Sequence, residues 1–203
     1  SKYEKNLLFS NFRLKEEKVV VIPNGITTME FKNLKKRKDP RYDKKILCVS
    51  RLEKYKGIDH LIRVLPKLDT SMSLVIVGKG PYKRKLIGLV RKLRLEDRVK
   101  FYSDLSRKEL LRLYADADVF VLLSRYEAFG NVVAEALASG TPCIVANASA
   151  LKDWIDNKNC FGIDYPIDLN RLARLITEVI GKEVKGIKLQ DWDDVVKQLD
   201  DIY

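Results

Sequence analysis

The sequence predicts an α/β fold built on a doubly wound, mostly parallel sheet. Short apolar runs rich in β-branched residues alternate with longer helical patterns along most of the chain. The runs are continuously apolar, which is typical of strands covered by helices on both faces. With 203 residues, of which 46% are hydrophobic and 33% charged, the chain is long enough for one large domain with a substantial core.

Seven apolar runs are candidate strands. They lie at residues 19–22, 46–49, 74–77, 99–102, 119–123 and 143–145, with a weaker one at 161–163. Helical patterns fill the intervals, and right-handed crossovers then place helices on both faces of the sheet. Ligands of such sheets bind beyond the carboxyl ends of the strands, so the polar residues that follow each strand are the candidate site.

Residues typical of helix starts and ends support these positions of the strands and helices. Ser106 and Glu109 have the spacing of a capping box and predict the start of a helix. Gly140 and Pro142 predict the end of a helix over residues 132–139. Asp191 is the predicted N-cap of an acidic C-terminal helix, because acidic residues are favoured in the first turn.

The net charge of +11 is concentrated in two segments. Residues 32–45 lack apolar periodicity and predict an exposed loop, whereas residues 82–98 predict an amphipathic surface helix surrounded by basic side chains. A solvated basic surface is the favoured explanation. An anionic membrane surface ranks second as a partner, and nucleic acid ranks third.

Three cysteines and one histidine exclude several chemistries. The sparse cysteines favour a reducing compartment over a disulfide scaffold. A zinc site is disfavoured because Cys48 and Cys143 lie in apolar runs that predict buried strands. His60 lies in a helical pattern, which favours packing over catalysis. The apolar runs are shorter than the roughly 18 residues that span a bilayer, and we therefore expect a cytoplasmic protein.

The residues after the second apolar run suggest an anion site. Arg51 follows this run, and Lys56 and Gly57 precede the next predicted helix. Two cations beside a helix N-terminus can bind a diphosphate, because the guanidinium offers a bidentate fork and the helix dipole attracts negative charge. The alternative is a pair of solvated charges on a loop.

Two glutamates flank the helix that follows run 119–123. Glu127 lies in the loop, and Glu135 lies inside the helix, so both can face the carboxyl edge of the sheet. Carboxylates accept hydrogen bonds from vicinal sugar hydroxyls. The backbone N–H groups of Phe129, Gly130 and Asn131 can bind a phosphate. A spacing of eight residues between two glutamates also arises by chance.

Taken together, these motifs are more specific. The run EAFGNVVAEALASGTPCIVA, with SRLEKYKG, VIPNGI and VGKGP before it, resembles the C-terminal domain of retaining group 1 (family 4) glycosyltransferases of GT-B architecture. The match extends over nearly the whole chain from about residue 19. Glu127 and Glu135 fit the family's paired glutamates, and Arg51 and Lys56 fit its paired cations.

The resemblance implies a Rossmann-like domain that binds a UDP-, GDP- or ADP-hexose without a metal or other cofactor. Arg51 and Lys56 would bind the diphosphate, Glu127 the donor sugar and Glu135 the ribose. It also implies retaining transfer by front-face attack, with a covalent intermediate on Glu127 as the less favoured route. The remaining implied contacts are backbone groups that hold phosphate and sugar oxygens, at Phe129, Gly130, Asn131 and Val132, and the surroundings of the base, at Gly78, Lys79, Ser103, Asp104 and Leu105.

The resemblance also implies a division of the chain. Residues 1–18 would be the end of an interdomain helix and hinge, residues 19–190 the nucleotide-sugar domain, and residues 191–203 a helix that contacts a missing N-terminal acceptor domain. The chain lacks an initial Met, and we expect it to be part of a longer protein that does not transfer sugar as this fragment. If the acceptor is lipid-linked, the basic surface could dock at the inner face of the membrane.

Two departures from the family pattern leave alternatives open. The segment Asn147 to Asp153 lacks the usual paired glycines, with Asp153 in place of a glutamate, and Ser103 stands where glycine is common. A catalytically inactive nucleotide-binding or regulatory module therefore remains an alternative. A basic nucleic-acid-binding domain is a further one.

Overall fold

The structure is a computed structural model that describes residues 1–32, 34, 36–37 and 42–202. Five short 3-10 segments accompany its helices and strands, at Glu16–Lys18, Thr28–Phe31, Lys54–Lys56, Leu65–Lys67 and Ser149–Trp154. In chain order the elements are α1 (Lys2–Asn11), β1 (Lys44–Val49), α2 (Ile58–Val64), β2 (Met72–Val77), α3 (Lys83–Lys92), β3 (Val99–Tyr102), α4 (Arg107–Asp116), β4 (Val119–Leu122), α5 (Asn131–Ala138), β5 (Cys143–Ala146), β6 (Cys160–Ile163), α6 (Leu169–Val179) and α7 (Trp192–Asp200).

All six strands form one parallel sheet in the order β3-β2-β1-β4-β5-β6. The predicted doubly wound α/β fold is therefore confirmed. The strand order reverses direction between β1 and β4, so the loops after these two strands diverge and leave a crevice at the carboxyl edge. Ligands of open α/β sheets bind at such a switch point.

The predicted strand over residues 19–22 is wrong. This segment is extended but pairs with no strand in the described part of the chain, and an isolated bridge between Ile26 and Asp191 is the nearest ladder contact. Its apolar side chains line a groove with Leu7, Leu8 and Phe12 of the N-terminal region instead. Val20 is 63% exposed, so the run is only partly covered there and its apolar character did not report a buried strand.

Side chains of β1 alternate between two cores, which explains the continuous apolarity of the strands. Ile46 and Cys48 face a core that is closed by α2, α3 and α6. Leu47 and Val49 face a second core that is closed by α4 and α5. Because successive side chains of a strand point to opposite faces, a strand with helices on both sides has no polar face.

The predicted helix boundaries agree closely with the structure. Ser106 caps α4, and Glu109 completes the capping box. Asp191 caps α7, and its carboxylate also accepts hydrogen bonds from the backbone N–H and hydroxyl of Thr28, at 3.0 and 2.8 Å. The C-terminal helix is thereby tied to the segment that precedes the sheet. The predicted helix over 132–139 is α5, which begins and ends one residue earlier.

The two basic segments differ from each other in the structure. As predicted, α3 is amphipathic, with Leu86 and Val90 buried, but it ends at Lys92, six residues before the predicted end at residue 98. The predicted loop over residues 32–45 is wrong at its end, because Lys44 already belongs to β1. Part of its charge is also paired, since Lys36 Nζ lies 2.7 Å from Oδ1 of the buried Asp118. Residues 33, 35 and 38–41 of this segment lie outside the described residues.

Cys48, Cys143 and the histidine occupy the environments that the sequence predicts. Cys48, Cys143 and Cys160 are free and buried, and burial raises the pKa of Cys48 to about 12. His60 packs edge-on against the ring of Tyr165 at 6.1 Å between centroids, and burial lowers its pKa. Among the helices of the described residues, none has the length and apolar character needed to cross a membrane.

Candidate functional site

Lys56 is held inward by the turn that starts α2. It ends the 3-10 segment Lys54–Lys56, and Gly57 follows with φ +67°. A β-carbon on Gly57 would lie 2.5 Å from the carbonyl oxygen of Leu123, so both the backbone angle and the space require glycine. The turn buries Lys56, and its Nζ lies 2.5 Å from Oε1 of Glu127. The predicted cation and the predicted carboxylate therefore meet across the crevice between β1 and β4.

Arg51 lies at the mouth of the same crevice. Its guanidinium is exposed and pairs with Glu53 at 3.2 Å. Because this partner is a neighbour on its own loop, the guanidinium can turn toward a ligand at small cost. Arg51 is thus an exposed cation on a loop, beside the buried cation of Lys56.

The backbone of Glu127 is fixed by the segment in which the chain departs from the family pattern. Its N–H donates to Oγ of Ser149 at 2.9 Å, and its carbonyl oxygen accepts from the N–H of Ala150 at 3.3 Å. Ser149 adopts φ +48°, an angle that usually selects glycine. A serine here accepts backbone strain and supplies a hydrogen bond that glycine could not make.

The N-terminus of α5 completes a cavity at the switch point. Gly130 is its N-cap, and the preceding carbonyl of Phe129 accepts from the indole N–H of Trp154 at 2.7 Å. Asn131 Oδ1 accepts from Nδ2 of Asn24 at 3.0 Å. The cavity measures about 310 Å³ and is lined by Asn24, Val49, Ser50, Arg51, Lys56, Glu127, Ala128, Phe129, Gly130, Asn131 and Val132.

Glu135 lies further along α5, outside the residues that line this cavity. Its Oε1 lies 2.5 Å from Nη1 of Arg107, and its Oε2 accepts from the hydroxyl of Tyr114 at 2.8 Å. Burial, reinforced by the negative charge of Glu135, raises the pKa of Tyr114 well above its ordinary value, so the phenol stays a proton donor. Each carboxylate oxygen still has capacity for a further hydrogen bond.

Arg107 links this network to the segment before the sheet. Its Nε and Nη2 donate to Glu30 at 3.0 and 2.8 Å. Partial burial acts to lower the pKa of Arg107, but its hydrogen bonds to Glu30 and Glu135 outweigh burial and raise it. The guanidinium therefore remains a permanent cation between two carboxylates.

The loops after β2 and β3 form a separate corner of the same edge. Gly78 (φ +145°) packs so closely on the loop after β1 that a β-carbon would lie 1.9 Å from the carbonyl oxygen of Ser50. Lys79 forms an exposed ion pair with Asp104, and this hydrogen bond from Lys79 holds the pKa of Asp104 below its ordinary value. Ser103 and Leu105, the other residues predicted at this corner, flank Asp104 in the loop after β3.

The predicted residues thus fall into three groups along one edge. One group lines the switch-point cavity, a second is Glu135 on α5, and the third is the corner of Lys79 and Asp104. Asp153 is exposed and lines a different cavity, beside Pro23 and Trp154. The residues that sequence reasoning missed are Asn24, Arg107, Tyr114 and Ser149. Two of them had a signal, since Asn24 belongs to the quoted motif VIPNGI and Ser149 lies in the segment Asn147 to Asp153 that departs from the family pattern.

Comparison with known proteins supplies the family. The family model described as "Glycosyl transferases group 1" matches residues 29–197. An uncharacterized glycosyltransferase of Methanocaldococcus jannaschii is 32% identical over 228 residues, a match that covers 100% of this chain and 58% of the relative. A glycogen synthase of Mycobacterium tuberculosis is 35% identical over 166 residues, covering 80% of this chain and 40% of the relative.

Solved structures have the same fold. Sucrose-phosphate synthase from Thermosynechococcus elongatus is 27% identical with a TM-score of 0.81, covering 100% of this chain and 56% of that one. Anabaena HepE in complex with UDP and glucose has a TM-score of 0.78 at 24% identity, covering 93% of this chain and 57% of that one. The chain spans about half the length of the curated relatives it matches. It belongs to the group 1 glycosyltransferases, and its fold is that of their GT-B structures.

Proposed function

We propose that this chain is the donor-binding half of a retaining glycosyltransferase and binds a nucleotide-diphosphate hexose at the switch-point cavity. The observation that carries the proposal is the convergence of Arg51, Lys56 and Glu127 with the N-terminus of α5 around one cavity. Cations, free backbone N–H groups and a helix dipole are together suited to a diphosphate. Anabaena HepE, which shares the fold, is known in complex with UDP and with UDP-glucose.

The diphosphate would gain negative charge as its bond to the sugar breaks. Lys56 is already oriented by Glu127, so stabilising this charge would need little reorganisation. The ammonium has three N–H donors and can serve a phosphate without leaving the carboxylate. Arg51 would turn from Glu53 to close over the diphosphate. These cations would do the work of a metal ion, and we propose that none is required.

Glu127 would face the positive charge that develops on the sugar. In the proposed front-face reaction, the bond between the anomeric carbon and the diphosphate oxygen breaks while the acceptor oxygen bonds to the same carbon. The acceptor's proton passes to the departing diphosphate. A carboxylate fixed through its own backbone by Ser149 and Ala150 is suited to hold its position through this change.

The nucleoside would extend along α5 from the diphosphate. Glu135 would accept hydrogen bonds from ribose hydroxyls, oriented by Arg107 and Tyr114. The base would lie against the corner formed by Gly78, Lys79 and residues 103–105. Arg107, which contacts Glu135, begins α4 just after residues 103–105, and this contact supports placing the ribose next to the base.

The acceptor would be bound mainly by an N-terminal domain. The relatives are long enough to contain one, since this chain covers only 58% and 40% of their lengths. Leu8 and Phe12 near α1 and Val196 and Leu199 on α7 are exposed apolar side chains suited to contact that domain. Because transfer needs both substrates in one water-excluded cleft, we propose that this chain alone binds donor without transferring it. The exposed basic face of α3 would favour attachment to an anionic membrane surface.

Titration calorimetry tests this function. We expect the chain to bind one of UDP, GDP or ADP and the matching hexose compound, with equal affinity in EDTA. Lys56→Met and Glu135→Gln should each weaken binding by about 10- to 100-fold, because each removes a charged hydrogen bond of about 1.5–3 kcal/mol.

Lys54→Met is the matched control, since Lys54 lies in the same 3-10 segment with its side chain exposed. It should bind like the wild type. Failure of the wild type to bind any of the three nucleotides would contradict the proposal. Salt-dependent binding of DNA or RNA that survives Glu135→Gln would favour the nucleic-acid alternative.

A further inference from the structure

A second cavity lies directly beside the switch-point cavity. It measures about 340 Å³ and is lined by Tyr3, Tyr55, Lys56, Tyr126, Glu127, Ala128 and Ser149. Lys56, Glu127 and Ala128 line both cavities. The ion pair between Lys56 and Glu127 is therefore a shared wall, with the proposed diphosphate on one side and three tyrosines on the other. We name this second cavity the tyrosine cleft.

Two tyrosines of the cleft are exposed to solvent. Tyr126 is 67% exposed and Tyr55 is 37% exposed. Their ring centroids lie 6.3 Å apart at an interplanar angle of 57°, so they form an angled pair. Tyrosines that present both a flat apolar face and a hydroxyl are common where a ligand or partner binds.

The side chains that line the cleft carry no net charge, and the ammonium of Lys152 lies 5.4 Å from the centroid of the Tyr3 ring. Lys56 Nζ lies 5.1 Å from the centroid of the Tyr55 ring, but its charge is already balanced by Glu127 at 2.5 Å. The remaining groups are phenol hydroxyls, the hydroxyl of Ser149 and the lone pairs of the carboxylate. Neutral aromatic faces combined with hydrogen-bonding groups suit a molecule that has an apolar face and a rim of hydroxyls, which is the chemistry of a sugar ring.

We propose that the tyrosine cleft binds a saccharide ring of the acceptor; this inference rests on the function proposed above. The donor hexose, bonded to the diphosphate, would lie on the Arg51 side of the shared wall. An acceptor ring held at the exposed Tyr126 would extend its attacking hydroxyl past the pair to the face of the anomeric carbon that carries the diphosphate, as front-face attack requires. The cleft would thus contribute an acceptor contact from the donor-binding half of the enzyme.

Saturation-transfer difference NMR on the whole chain tests the proposal. The probes are methyl α-D-glucopyranoside, methyl α-D-mannopyranoside and maltose, each measured with UDP at saturation. We expect ring-proton signals from at least one glycoside, with binding weakened at least about fivefold by Tyr126→Ala and retained by Tyr126→Phe, which keeps the ring. Phe12→Ala is the matched control, because Phe12 is an exposed aromatic outside the cleft.

Each other outcome overturns the proposal. No signal from any of the three glycosides, or signals that survive Tyr126→Ala, would show that the cleft is not a saccharide site. Loss in Tyr126→Ala of the hexose signals of UDP-glucose would place the donor sugar in the cleft instead. The proposed function fails separately, through a wild type that binds no nucleotide at all.

Discussion

Two lysine–carboxylate pairs lie at the carboxyl edge of the same sheet, and they are built in opposite ways. In the pair of Lys56 and Glu127 the side chains are 9% and 18% exposed. In the pair of Lys79 and Asp104 they are 69% and 67% exposed. The inner pair lies at the crevice between β1 and β4, whereas the outer pair joins two loops at the β2–β3 corner.

The difference shows which ion pair the surrounding structure holds in a fixed geometry. A desolvated ion pair is maintained only if the surrounding structure fixes both partners, and here Gly57 fixes one side and Ser149 the other. An exposed pair is worth little and can open whenever a ligand competes for it. We infer that the inner pair is a prebuilt part of the diphosphate site and that the outer pair is an adaptable edge of the base site.

The largest expected effect comes from removing the cation of the inner pair. Lys56→Met leaves the carboxylate of Glu127 partly desolvated without a partner, and we expect a loss of about 3 kcal/mol in the free energy of unfolding. Urea denaturation measures it. The double variant Lys56→Met, Glu127→Gln should recover at least about half of that loss, because no unpaired charge remains. If Lys56→Met were as stable as the wild type, the claim that the surrounding structure holds Lys56 and Glu127 as a desolvated pair would be contradicted.

Gly57→Ala is the next largest perturbation and acts on the turn that buries Lys56. We expect about 2 kcal/mol of destabilisation in urea denaturation, because a β-carbon there adds a steric clash with Leu123 to the strain of the left-handed backbone. Gly140→Ala is the control, since Gly140 also has a positive φ of +80° but no atom within 4 Å of a new β-carbon. Equal losses in the two variants would show that strain alone explains the effect.

Tyr114→Phe tests a third carboxylate at this edge, Glu135, which accepts a hydrogen bond from the Tyr114 hydroxyl. It removes one hydrogen bond to the carboxylate and keeps the buried ring, so we expect about 1.5 kcal/mol of destabilisation. UDP binding should weaken by up to about tenfold if Glu135 holds the ribose, measured by calorimetry. Unchanged UDP affinity together with the expected loss of stability would limit Tyr114 to a structural role.

Two substitutions of Ser149 distinguish the cost of its backbone strain from the value of its hydrogen bond to Glu127. Ser149→Ala keeps the strained φ and loses the bond to the N–H of Glu127, whereas Ser149→Gly loses the bond but relieves the strain. We expect the alanine variant to be less stable than the glycine variant by about 1 kcal/mol in thermal or urea unfolding. The reverse order would mean that the left-handed backbone costs nothing here.

The smallest expected effect is at the outer pair. Asp104→Ala should leave the unfolding transition unchanged and alter UDP affinity by less than about twofold, because both charges are exposed. Calorimetry and a thermal melt measure the two quantities. A loss as large as that of Lys56→Met would mean that the two pairs are not different in kind.

Most of the fold could be predicted from the sequence because its signals are local. Six apolar runs became strands, since helices on both faces leave no polar alternation to obscure them. Residues 19–22 have the same composition, but their strand was mispredicted because an apolar run need not pair with a strand or be buried, and Val20 is 63% exposed. Whether a run pairs with a strand or packs against a helix is decided by the rest of the chain.

The candidate site was predictable in part, because only its local signals can be read from the sequence. Arg51, Lys56 and Glu127 could be named from the strand ends and the motifs, and they line one cavity. The groups that hold them could not be named. Tyr114 and Arg107 lie 21 and 28 residues from Glu135, and Ser149 lies 22 residues from Glu127. Such partners meet only through the packing of α4 and the Ser149–Trp154 segment. The segment around Ser149 departs from the family pattern, but nothing in the sequence pairs Ser149 with Glu127.

The most direct test of the central claim is a crystal structure of this chain with UDP bound. The account predicts the β-phosphate in the switch-point cavity, with oxygens within about 3 Å of Lys56 Nζ and of backbone N–H groups at the start of α5. Lys56 should still contact Glu127. A diphosphate bound elsewhere, with Lys56 untouched, would contradict the account.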